Sequence, residues 1–178
     1  MMRRFQFSKK GQIMKFFSKT LFIQLMIALQ LSCLGIMVSA VSFAAPLNVG
    51  DEYGGGKVVY ILKPGDPGYK ADEPHGLVAA KEDLPQESLT WFEAKAAVER
   101  MAISGNKGWS LPNERELILL YQNKYLVGGF RDYSYYWSGS EIDPKKALSI
   151  DFYNGEKVAS IKSGALTGIR RVRPVRKF

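Results

Sequence analysis

The chain has 178 residues, long enough for one domain with its own core. Its formal net charge of +8 invites a nucleic-acid partner, but the distribution excludes that reading. Six of the 25 basic residues and none of the 17 acidic ones lie in residues 1–44, which leaves 19 basic against 17 acidic side chains downstream.

The N-terminal segment reads as an export signal. Arg3, Arg4, Lys9, Lys10, Lys15 and Lys19 lead into residues 21–45, which carry no charged side chain. Ser42-Phe43-Ala44 places small residues where a signal peptidase cuts, with Pro46 just beyond, and Val38-Ser39-Ala40 is a second such site. Translation from Met14 gives a more ordinary signal length. The alternative is an uncleaved membrane anchor over residues 21–45, long enough to span a bilayer. Cys33, the only cysteine, lies in this run, and the apolar residues after it do not suit a lipid-tethered terminus. Removal of residues 1–44 leaves a domain without disulfide or thiol nucleophile, held together by its core.

Residues 46–178 read as a single domain. Val58–Leu62 is a β-prone run that predicts a buried strand, and Gly54-Gly55-Gly56 before it predicts a turn or bulge. The glycines lack the Lys-Ser/Thr of a phosphate loop and precede a strand instead of a helix. Residues 63–74, rich in Pro, Gly and Asp, predict an exposed loop, and Gly76–Ala80 predicts a second strand. Thr90-Trp91-Phe92-Glu93 is a capping box that starts a helix with Trp91, Ala94, Val98 and Met101 on one face. Asn113 to Glu116 is a second capping box, with Leu117, Leu120 and Tyr121 as the apolar face. Pro112 keeps Leu111 extended and makes the entry sharp. The spacing therefore assigns Trp109, Leu111, Pro112, Asn113 and Glu116 to the framework, together with Trp91.

The last third reads as β. Residues 148–153 alternate with period two, and Asn154-Gly155 predicts a two-residue hairpin turn. That turn pairs Phe152 with Lys157, Ile150 with Ala159 and Leu148 with Ile161 on one buried face. Residues 169–175 predict a final strand.

Candidate functional residues lie in three places. His75 is the only histidine; no nucleophile elbow or set of metal ligands accompanies it, so it reads as a loop-edge residue. Tyr133 and Tyr135 flank the predicted core residue Trp137 and suit carbohydrate stacking as well as packing. Arg170, Arg171, Arg173, Arg176 and Lys177, joined by Lys145, Lys146, Lys157 and Lys162, offer an anion-binding surface for sulfated or phosphorylated polymers. A solvated edge strand is the other reading of the same basic run.

Several motifs occur in order: Val49-Gly50-Asp51-Glu52-Tyr53-Gly54-Gly55-Gly56-Lys57-Val58-Val59-Tyr60, His75-Gly76-Leu77-Val78-Ala79-Ala80 and Leu89-Thr90-Trp91 with Ala94. Gly108-Trp109-Ser110-Leu111-Pro112 with Glu116-Leu117, Tyr136-Trp137-Ser138 and Arg171-Val172-Arg173-Pro174-Val175-Arg176 follow. Together they resemble the Legionella collagen-like protein C-terminal domain family (Lcl C-terminal domain), over residues 48–178. The resemblance implies an exported α+β domain related to C-type lectins, with a small twisted antiparallel sheet, two packed helices and the terminal strands side by side. It also implies binding of sulfated glycosaminoglycans. The chain has no Gly-X-Y repeat, so trimerisation and multivalent adhesion are not carried over. Calcium is not carried over either, because Pro112-Asn113 lacks companion acidic ligands.

The expectation is an exported, non-enzymatic domain, periplasmic or at the cell surface, with no metal or cofactor. Its partner is a sulfated or otherwise anionic glycan, or an envelope component; a structural or protein-interaction module of the envelope is the alternative.

Overall fold

The computed structural model describes residues 46–86, 89–163 and 170–178. The signal or anchor reading of residues 1–45, with Cys33, lies outside the described residues, as does Ile169. Among the described residues no helix is long and apolar enough to cross a membrane. Residues 46–178 form one compact unit, and the strand pairings of the described residues lie within it.

The first sheet has the order β1 (Glu52–Tyr53), β2 (Gly56–Ile61), β3 (Gly76–Ala80), β8 (Val175–Lys177), all antiparallel. Gly54 and Gly55 form the two-residue turn between β1 and β2, with φ of 54° and 85°, values that glycine adopts without strain. The β2–β3 register shifts between Val58 and Tyr60, and the extra residue lets Val58 and Val59 both be buried.

Both predicted capping boxes form. Thr90 Oγ1 accepts from Glu93 N at the start of α1 (Trp91–Glu99). Asn113 Oδ1 accepts from Glu116 N, and Glu116 Oε2 accepts from Asn113 N, both at 2.9 Å, at the start of α2 (Glu114–Gln122). A short third helix, α3 (Lys124–Val127), follows. Trp91, Ala94 and Val98 of α1 pack with Leu84, Leu111, Trp137 and Val172. Leu117 and Leu120 of α2 pack with Val59, Leu77, Tyr136 and Phe152. Each of these large side chains, fully buried, stabilises the fold by about 1.5–3 kcal/mol. Trp109 closes a third cluster with Val58 and Val78.

The three tryptophans donate to backbone carbonyls: Trp91 to Ser138 (2.8 Å), Trp109 to Asn106 (2.9 Å) and Trp137 to Leu89 (2.9 Å). Leu111 and Pro112 are buried beside them.

The second sheet has the order β6 (Lys157–Ile161), β5 (Lys146–Asp151), β4 (Tyr135–Glu141), β7 (Arg170–Arg171). It is mixed, because β4 and β7 run parallel. The α+β class is as expected, but one antiparallel sheet becomes two four-stranded sheets. The hairpin register also differs from expectation. Ile150 pairs with Lys157 and Leu148 with Ala159, two residues from the predicted pairing. Phe152 leaves the strand and packs on Tyr136 (4.1 Å between ring centroids) and Phe130 (4.9 Å). Burial of that ring lengthens the turn to residues 152–155 and wins over the two-residue Asn-Gly turn. A shift of two keeps the faces. The face is buried on β5 alone, since Lys157, Ala159 and Ile161 are exposed.

The predicted final strand is two strands in two sheets. Pro174 has no N–H to donate, so the ladder cannot run through it. Residues 172–174 cross from one sheet to the other: Val172 O accepts from Leu84 N, and Pro174 O from Ala80 N. The crossing places the Arg173 side chain between the sheets.

Candidate ligand-binding cleft

Two of the candidate arginines are inside the protein. Arg173 has no exposed surface. Its Nε donates to Asp83 Oδ1 at 2.7 Å, Nη1 to the carbonyls of Ala80, Lys81 and Gly128, each at 3.1 Å, and Nη2 to Gly129 O at 2.6 Å. The guanidinium also lies 4.1 Å from the Phe130 ring centroid. Asp83 Oδ2 accepts from the Tyr136 hydroxyl at 2.7 Å, and that hydroxyl accepts from Arg131 N. Burial, then the Asp83 charge, pushes the Tyr136 hydroxyl above its ordinary range. Arg170 is 4% exposed, donates to Ser160 Oγ and covers the Trp137 ring; burial lowers its pKa. Arg171 is half-buried on β7.

The expected basic surface of Arg170, Arg171 and Arg173 is therefore corrected. A planar guanidinium can donate to several carbonyls at once, and Arg173 ties the backbone at residues 80–81 to that at 128–129. Lys145, just before β5, and Lys146, its first residue, stay exposed. Lys157 is exposed and paired with Glu114 at 2.7 Å. Lys145, Lys146, Arg170, Arg171 and Arg173 do not converge on one exposed face.

The tyrosines divide similarly. Tyr135 is half-buried, with the Arg170 guanidinium 5.9 Å from its ring centroid. Tyr133 is 76% exposed and stacks on Tyr153, with ring centroids 4.6 Å apart and planes 20° apart. Its φ of 58° is left-handed, a conformation that side chains other than glycine rarely hold.

A sizeable cavity among the described residues is elsewhere. It lies between residues 62–76, the N-terminal turn of α2 and the end of β8, with a volume of about 450 Å³. Tyr60, Leu62, Leu77, Leu119 and Phe178 make its apolar surface. Two carboxylates line it, and both are engaged by the protein. Asp66 Oδ2 accepts from the Tyr60 hydroxyl (2.7 Å) and Lys63 N (2.9 Å), and Oδ1 accepts from Arg115 Nη2 (3.1 Å). The Tyr60 hydrogen bond, before the others, lowers the Asp66 pKa, and the Tyr60 pKa rises in return. Glu116 is held by its helix cap and lies 3.8 Å from Lys177 Nζ.

The cations on the cleft are less committed. Lys70 and Lys177 are exposed and make only long ion pairs, Lys70 with Glu73 at 3.7 Å. Arg115 is exposed and touches Asp66 through one nitrogen. His75 is half-buried on the cleft: its Nδ1 is 3.2 Å from Phe178 O, and Nε2 lies 3.4 Å from Glu73 Oε2, outside hydrogen-bond geometry. A second recess of about 340 Å³ adjoins, sharing Leu77, Glu116 and Lys177 and adding Lys107 and Arg176.

The cleft is absent from the expectations because its walls are far apart in sequence. Asp66 and Arg115 are 49 residues apart, and no local pattern joins them. The one local signal is the long Pro- and Gly-rich connection over residues 63–74, since loops of that length often carry function. Among the described residues no group of three His, Cys, Asp or Glu side chains is placed to hold a metal ion. A scan against protein-family models finds no match, and a search among curated proteins finds none either.

Proposed function

We propose that residues 46–178 are an exported, non-enzymatic binding domain of Lcl C-terminal type, taking an anionic partner in the cleft between residues 62–76 and α2. A sulfated or acidic glycan of the cell envelope is the partner this reading favours. The observation that carries it is the unequal state of the charges on the cleft. Asp66 and Glu116 turn their oxygens to internal donors, while Lys70, Arg115 and Lys177 are exposed and keep N–H donors for a ligand. A cleft whose acids are satisfied and whose cations are exposed attracts anions.

The stacked, exposed Tyr133 and Tyr153 support a glycan partner, because tyrosine faces pack well on sugar rings. The second reading, a protein-interaction module of the envelope, is favoured by Tyr125 and Leu126 of α3, two large apolar side chains left exposed side by side.

Heparin chromatography tests the reading. The domain is expected to be retained at low salt and released as salt screens the charges. Replacing Lys70 and Lys177 together by Ala lowers the eluting salt concentration more than replacing Lys145 and Lys146. Absence of retention at low salt sinks the glycan reading.

A further inference from the structure

The cleft is more selective than a basic patch, and its shape narrows the chemistry it accepts. A polyanion chain needs a run of cations along a track. Here the cations sit at the rim, and the surface below them is carbon. Tyr60 and Phe178 present ring faces or edges, and Leu62, Leu77 and Leu119 present aliphatic surface. A volume of about 450 Å³ is in the range of small-molecule sites. Apart from His75 Nε2, the polar side chains of the cleft wall are engaged: the Tyr60 hydroxyl is committed to Asp66, and the α2 cap consumes Asn113 and Glu116. A ligand body rich in hydroxyls therefore finds few partners there and loses its own hydration.

We infer that the cleft binds a compact amphipathic anion: one carboxylate or sulfonate group held by Arg115 and Lys177 at the rim, with an aromatic or aliphatic body on Tyr60, Leu119 and Phe178. This inference rests on the anion-binding part of the proposed function alone and, for the cleft, puts an amphipathic acid in place of the glycan. Asp66 has a part in the selectivity. It holds Tyr60 and Arg115 in place through its two oxygens, so the rim cation and the apolar wall are set by one carboxylate. The chemistry suits an envelope-derived aromatic or lipid-like acid as well as a free metabolite of the same class. The shared feature is a single negative charge on an apolar body.

The test uses the protein as exported and three probes. Anilinonaphthalene sulfonate is an aromatic body with one sulfonate; N-phenyl-1-naphthylamine is the same body without the charge; a heparin hexasaccharide is charge without the apolar body. The sulfonate is expected to bind at one site, by calorimetry and fluorescence, and about tenfold more tightly than the uncharged amine, since one charge-assisted contact is worth about that factor. Replacing Arg115 and Lys177 together by Ala weakens the sulfonate about tenfold or more and leaves the amine unchanged. Lys145→Ala, outside the cleft, changes neither. Circular dichroism and urea midpoints confirm that the variants remain folded. Equal affinity for sulfonate and amine overturns the inference. So does sulfonate binding that Arg115→Ala with Lys177→Ala leaves intact in a folded protein. Hexasaccharide binding without sulfonate binding overturns this inference and leaves the binding-domain reading standing; binding of none of the three overturns both.

Discussion

Replacing Arg173 by Met tests whether the basic C-terminal segment is framework or ligand surface. Met retains much of the side-chain length and removes every donor. The substitution leaves Asp83, itself nearly buried, with the Tyr136 hydroxyl as its remaining side-chain partner, and withdraws a donor from the carbonyls of Ala80, Lys81, Gly128 and Gly129. Removing one member of a buried ion pair costs about 3–5 kcal/mol. A buried carbonyl left without a donor adds about 1–3 kcal/mol, part of which local relaxation and water recover. The expected loss is about 4–6 kcal/mol, a large share of the roughly 5–15 kcal/mol that holds a domain together.

Urea unfolding, followed by the fluorescence of the three buried tryptophans, measures it. At a slope near 2 kcal/mol per molar, the midpoint falls by about 2–3 M. The Arg173→Met, Asp83→Asn double variant is expected to lose less than the two single variants combined, by at least about 1 kcal/mol, because the second change removes the charge that the first stranded. A loss below about 1 kcal/mol for Arg173→Met, or a heparin defect in a variant that stays folded, refutes the keystone argument.

Two other outcomes follow from local geometry. The lowered Asp66 pKa means that its link to Tyr60 contributes stability above the ordinary carboxylate range and loses it as pH falls through the lowered value. The raised Tyr60 pKa means that the same link contributes below the ordinary phenol range and is lost as pH rises through the raised value. Absorbance at about 295 nm, taken as the difference between wild type and Tyr60→Phe, is expected to show Tyr60 ionising above pH ~10, and Asp66→Asn returns it toward ordinary behaviour; a Tyr60 that titrates with the exposed tyrosines contradicts the link. At the second helix, Asn113→Ala is expected to cost about 1 kcal/mol by urea midpoint while Asn113→Asp costs far less, and equal losses for the two remove the capping argument.

The features legible in the sequence are those whose partners lie close by. Thr90 with Glu93 and Asn113 with Glu116 are three residues apart, and each forms its reciprocal pair as the pattern requires. Gly54 and Gly55 make their turn for the same reason. The alternation over residues 148–153 assigns the side-chain faces, and these survive the shift in register because the shift is even. The pairing itself follows from where Phe152 goes, which is a choice made by Tyr136, Phe130 and Tyr121 from elsewhere in the chain.

Charge is where local reading fails. Arg170, Arg171 and Arg173 look alike as a basic run, and strand alternation alone sets two of them on one face. Pro174 breaks that strand, the chain changes sheets, and the carbonyls of residues 80, 81, 128 and 129 close around Arg173. Lys145 and Lys146 remain exposed, whereas Lys162 is buried with its ammonium on Glu141 and the carbonyls of Asp143 and Pro144. The sequence by itself determined the helix starts, the Gly54-Gly55 turn, the buried face of β5 and the framework role of Trp109, Leu111, Pro112, Asn113 and Glu116, all set by steric and hydrogen-bond rules acting over a few residues. Tertiary structure decided which charges face solvent and which apolar surface is left as a cleft, because burial and electrostatic pairing depend on groups brought together only when the two sheets and α2 pack.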